Sequence, residues 1–237
     1  MSDVSLSLDR ARALVAETKR WPLMQRFLWG FASLVDPSRA LAYTQAVLPP
    51  GLKVPSTLPT SGVAGRALLT HLGVEPTFYD FPADDGSRLL LLERAQYEQI
   101  ARWLGALAYA EPLRAVLAGP DVRALKQSLP GLYPEVLRYT AYFAKWAARF
   151  AALRAALPPP PQVLDLTAAI RLAGLRMLAS LLAGVPAELL RRQRLRFPEA
   201  DEPGFVPLPH EVLSPEHLEL LFFLLKLRFP EASDLCC

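Results

Sequence analysis

ERAQYEQIARWLGALAY, residues 93–109, decides the fold class. Its large apolar side chains fall at Tyr97, Ile100, Trp103, Leu104 and Leu107. Steps of three and four residues gather them into one stripe on a helix, whereas a strand would alternate every second residue.

The same pattern continues on the C-terminal side, punctuated by proline and glycine. Pro112 starts a short helix through Leu117, and Gly119-Pro120-Asp121 breaks and restarts it. Pro130-Gly131 stops the next helix, and Pro134 opens a long one to about Leu157. The run PPPP (158–161) is a stiff spacer. Asp165 caps a helix to about Ala183, ended by Gly184, and Pro186 opens the helix carrying LLRRQRLRF. A proline-rich loop (198–213) precedes a final helix from Ser214-Pro215 to Phe229.

On the N-terminal side, VEPTFYDFPADDGSRLLLL (74–92) changes character. Phe78, Tyr79 and Phe81, a DDG turn and a leucine run suggest a short β-hairpin, although Leu89–Leu92 equally begins a helix. Ser61 caps a helix ending near Leu72, with Gly73 as its stop. Residues 8–20 carry helical spacing, Pro22 starts a further helix through Phe31, and Asp36-Pro37 starts another. The expectation is a mainly α protein, an irregular bundle of about ten helices with at most one hairpin near 78–92. It divides into an N-terminal helical segment (1–48), a proline-rich loop (49–60) and a main helical domain (61–237).

Composition agrees. In 237 residues, 52% hydrophobic and 21% charged residues exclude a disordered polyelectrolyte, and 23 prolines against 12 glycines favour helices joined by proline loops. A net charge of +3 is too small for a dedicated nucleic-acid binder. The start has no basic region followed by an apolar core, and no apolar run reaches the roughly 18 residues a bilayer requires. Any membrane contact is therefore indirect or peripheral. Cys236 and Cys237 are adjacent and build no disulfide framework, which points to a reduced, cytoplasmic chain.

Signatures of chemistry are missing. His71, His210 and His217 lack metal-pair spacing, so no metal site is expected. Gly62-Val63-Ala64-Gly65 runs into Arg66 and lacks the lysine of a phosphate loop. Asp84-Asp85-Gly86 reads as a turn. No catalytic residue and no cofactor is expected.

LRFPEA occurs twice, starting at 195 and 227. With no third copy, it reads as two helix ends built alike: Leu anchors the core, Arg complements the helix dipole, Phe is the last buried residue and Pro forbids continuation. The first copy follows further arginines. Arg191, Arg192, Arg194 and Arg196 cannot share one side of a helix, and they either complement the helix end or receive an acidic partner or anionic lipid head groups. With Tyr109 they are the candidate partner-binding residues, whereas Trp103 is expected in the core.

The order of GRALLTHLGVEPTFYDF (65–81), SRLLLLERAQYEQIARWLGALAYAEPLRAVL (87–117), VRALKQSLPGLYPEVLRYT (122–140) and IRLAGLRMLASLLAGVPAELLRRQRLRFP (170–198) resembles the SctK/YscK family of type III secretion sorting-platform adaptors. The resemblance covers roughly residues 40–200. It implies a non-enzymatic cytoplasmic virulence-apparatus component without cofactors. Its protein partners would be the cytoplasmic domain of an inner-membrane ring protein and the C-ring-like pod protein.

Overall fold

The apolar stripe of residues 93–109 is buried as its spacing requires. In the computed structural model, which describes residues 20–48, 62–75, 81–82, 84–116, 119–142, 155, 166–209 and 211–229, it forms helix Arg94–Ala108. Tyr97, Ile100, Trp103, Leu104 and Leu107 are all buried there. All regular structure among the described residues is helical, so the protein is mainly α. In chain order the helices are α1 (20–28), α2 (Pro37–Val47), α3 (Gly62–His71), α4 (Asp85–Leu89), α5 (Arg94–Ala108), α6 (Ala110–Ala115), α7 (Gly119–Ser128), α8 (Leu132–Tyr142), α9 (Leu166–Leu181), α10 (Ala187–Leu195) and α11 (Pro215–Arg228). Among the described residues two 3-10 turns, Phe31–Leu34 and Glu199–Phe205, accompany them.

The hairpin is corrected where it is described. Asp84 accepts the Ser87 amide at 2.8 Å and the Ser87 hydroxyl at 2.7 Å, so the expected DDG turn is a helix cap and Leu89 ends α4. Leu89, Leu90, Leu91 and Leu92 are all buried, which a helical turn followed by a tight bend achieves without a partner strand. Phe78 and Tyr79 lie outside the described residues, as do Asp165 and the 49–60 and 158–161 loops.

Several boundaries follow the local chemistry. Asp36 accepts the Ser38 amide at 2.9 Å ahead of Pro37, as the start signal predicts. Gly73 and Gly131 take φ of +70° and +73°, the left-handed conformation that lets a chain turn away from a helix. Ser214 and His217 cap α11 reciprocally, His217 Nδ1 accepting the Ser214 amide at 3.2 Å. His71 stands against the Tyr43 ring, 4.9 Å between centroids.

The chain forms two compact units, each discontinuous in sequence. The first comprises Met1–Leu92, Gly184–Glu202 and Pro230–Cys237; the second comprises Glu93–Ala183 and Pro203–Phe229. Phe27, Phe31, Leu68, Leu89, Leu90, Leu92, Leu189 and Phe197 are fully or almost fully buried in the first. In the second, α5 lies along α9, α8 packs on α5, α6 and α7, and α11 reaches α9. The α5–α9 crossing is so close that a Cβ on Gly105 would stand 1.7 Å from the Ile170 carbonyl oxygen, and one on Gly174 would stand 1.6 Å from that of Ala101. Two glycines let two backbones touch.

Candidate functional site

α10 carries the arginine cluster, and a helical turn sends its members in opposite directions. Arg191 and Arg194 are exposed, whereas Arg192 and Arg196 are buried. The Arg192 guanidinium donates to Phe27 O at 3.1 Å, Leu28 O at 2.5 Å and Glu75 O at 2.6 Å, and its Nε lies 3.4 Å from Glu188 Oε1. Burial lowers the Arg192 pKa, and the nearby Glu188 carboxylate works against that. Arg196 donates to Leu90 O at 2.8 Å, Leu92 O at 2.6 Å and Gln193 Oε1 at 2.8 Å. Each planar guanidinium thus gathers main-chain carbonyls at or beyond helix ends: Arg192 those of Phe27 and Leu28 at the end of α1 and of Glu75 beyond α3, Arg196 those of Leu90 and Leu92 after α4. Arg191 does the same for Gly73 O after α3. Glu188 accepts the Glu75 amide at 3.0 Å, so one helix face holds both polarities of the 73–75 backbone. Arg39 answers in turn, donating to Phe197 O at 2.7 Å and to Glu202 at 2.9 Å.

This placement reshapes the list of candidate partner residues. Arg192 and Arg196 are occupied inside the fold by main-chain carbonyls of other segments. Tyr109 is also buried, and burial pushes its phenol pKa up despite the opposing pull of Arg176. Trp103 is buried, as expected. Arg191 and Arg194 remain on the outside.

The two LRFPEA copies share a sequence and differ in fate. Leu195, Arg196 and Phe197 are all buried. In the second copy Leu227 is 56% exposed, Arg228 pairs with Glu135, and Phe229 is half-buried. The expectation that Leu227 anchors the core is therefore corrected. Turned outward with Phe223, it gives α11 an exposed apolar strip one turn long.

The second unit also contains a cleft of about 570 Å³ lined by α5, the 128–132 turn, α8 and the end of α11. Trp103 Nε1 donates to Glu135 Oε1 at 3.2 Å, and its ring meets Phe229 edge to face at 5.8 Å. Arg228 grips the same carboxylate with two nitrogens, NH2 at 3.0 Å from Oε2, while its guanidinium sits 5.2 Å from the Phe229 ring centre. No sequence signal announces this cleft. Its walls come from helices far apart in the chain, and neither Glu135 nor Arg102 belongs to a local motif. Among the described residues no three His, Cys, Asp or Glu side chains cluster to hold a metal ion, and no helix is long and apolar enough to cross a membrane.

Comparison with known proteins gives one match. The family described as YOP proteins translocation protein K (YscK) aligns with residues 42–228. No match was found among curated proteins or solved structures. The aligned span runs from within α2 to the last residue of α11, taking in both the arginine helix and the cleft. The chain belongs to the YscK family of type III secretion proteins.

Proposed function

We propose that this protein is a non-enzymatic cytoplasmic adaptor of the type III secretion sorting platform, linking the cytoplasmic domain of the inner-membrane ring protein to the C-ring-like pod protein at the inner membrane. The observation that carries the reading is membership of the YscK family over most of the chain. The character of the surface supports it. Exposed Arg191 and Arg194 on one unit, and exposed Phe223 and Leu227 on the other, are side chains suited to protein contacts. The test is co-precipitation of the purified chain with each folded partner. Capture of both supports the linking role, and failure to capture either sinks it.

A second reading is a helical regulatory or chaperone-like protein that receives a partner helix. The Phe223–Leu227 strip favours it, because side chains four residues apart on one helix face match the apolar face of another helix. It predicts stable binding to a single helical peptide without the ring or pod protein.

A further inference from the structure

We propose that the outward face of α11 pairs with the same face of a second copy of this chain, the two helices running antiparallel. The middle of α11 reads LLFFLL (220–225), apolar through six consecutive positions. Leu220, Leu221, Leu224 and Leu225 are buried. Phe222 is half-buried, Phe223 is 56% exposed, and Leu227 stands one turn further on, equally exposed. A helix that serves one apolar surface carries polar residues on its other side, whereas a helix apolar all round is covered on both. The outward side of α11 thus has the composition of a contact surface.

The order of residues along that side selects what covers it. Steps of three and four align Glu216, Glu219, Phe223 and Lys226, with Leu227 at the edge. Glu216 and Glu219 are exposed, and Lys226 is half-exposed. The face is acidic in its first turns, apolar in the middle and basic towards its end. Such a face is complementary to its own reverse. A two-fold axis between Phe222 and Phe223 brings Glu219 of each copy opposite Lys226 of the other, with the phenyl rings between them. The antiparallel arrangement also opposes the two helix dipoles, whereas a parallel pair would set carboxylate on carboxylate. A foreign helix would need the same order in reverse, and a second copy already carries it. An anionic membrane or a nucleic acid would meet Glu216 and Glu219, which disfavours both. The face belongs to one helix of 14 residues, about 20 Å long. A contact of that size lies at the low end of specific interfaces, so the pair forms reversibly with concentration.

The inference goes beyond the adaptor reading and does not rest on it. Its first test contains neither ring nor pod protein, so the two fail separately. Sedimentation velocity of the full chain from about 5 to about 300 μM should show a monomer passing into a dimer. Phe223→Asp should weaken the dimer at least about tenfold. Glu219→Lys and Lys226→Glu should each weaken it about tenfold, because each sets like charges together at two symmetric places. An equimolar mixture of these two variants should recover the parent's association, since a mixed pair restores both opposite-charge contacts. Residues 219 and 226 stand two turns apart on α11, too far to pair within it, so recovery reports contact between copies. A chain monomeric over the whole range, association indifferent to Phe223→Asp, or a mixture no better than its components overturns the proposal. A monomeric chain whose capture of ring or pod protein is lost on Phe223→Asp also overturns it, in favour of a helix of that partner.

Discussion

Removing the Arg192 guanidinium strands the main-chain oxygens of Phe27 and Leu28 in the interior, together with that of Glu75 at its part-buried edge. Arg192→Met should therefore cost about 3–5 kcal/mol in urea unfolding, far beyond the loss of one surface ion pair. Arg192→Lys should recover only part of that, since an ammonium cannot span carbonyls arranged for a planar fork. Arg194→Gln, at an exposed position, should stay within about 0.5 kcal/mol of the parent. Equal behaviour of the two positions would show that burial has been misassigned. The α4 cap gives a pH test. Burial works to raise the Asp84 carboxyl, but the Ser87 amide and hydroxyl, with main-chain N–H groups at Asp84 and Gly86, outweigh it and hold the pKa below 3.8. A lowered carboxylate pKa stabilises the fold above the unfolded value, and that contribution is lost as pH falls through the lowered one. Asp84→Asn keeps a cap oxygen and removes the titration. The two proteins should match closely near pH 7, and the parent alone should lose this increment as pH falls through the lowered Asp84 pKa. Parallel acid profiles would remove Asp84 from the account.

At the scale of elements, the α5–α9 crossing reverses an ordinary rule. Gly→Ala inside an exposed helix stabilises by roughly 1 kcal/mol. Gly174→Ala instead drives a methyl into the Ala101 carbonyl, so thermal unfolding should show a net loss of about 2 kcal/mol or more. Gly184→Ala meets open space and should be neutral or stabilising. Starts and stops of this kind were largely legible in the sequence, because they rest on chemistry within four residues: Asp36-Pro37, Gly73, Pro130-Gly131 and Ser214-Pro215 each act where expected. Leucines 89–92 were not, because a buried apolar run has the same composition in a strand, a helix or a bend. The direction of each arginine on α10 was hidden for another reason. Helical geometry predicts that the cluster splits, but which half faces inward depends on carbonyls about 100 or more residues away in the chain. The cleft is illegible on the same grounds, since Glu135 and Arg228 meet across 93 residues.

At the scale of the molecule, the proposed adaptor role needs contact groups at the surface, and the α10 arginines are divided between interior and surface. Charge reversal at both Arg191 and Arg194 should reduce capture of one partner in co-precipitation while the other is retained, with little change in the unfolding midpoint beyond loss of the Gly73 contact. Reduced stability with unchanged capture would assign both residues to structure. The discontinuity of the two units carries a consequence for biosynthesis. A nascent chain leaves the ribosome from its N-terminus, and units usually mature in that order. Here the carbonyls of Phe27, Leu28, Leu90 and Leu92 emerge long before the guanidiniums that satisfy them, and residues 93–183 of the other unit are translated in between. That unit in turn waits for α11. A ribosome stalled between residues 93 and 202 therefore holds two unfinished units, each with apolar surface that its later segments have yet to cover.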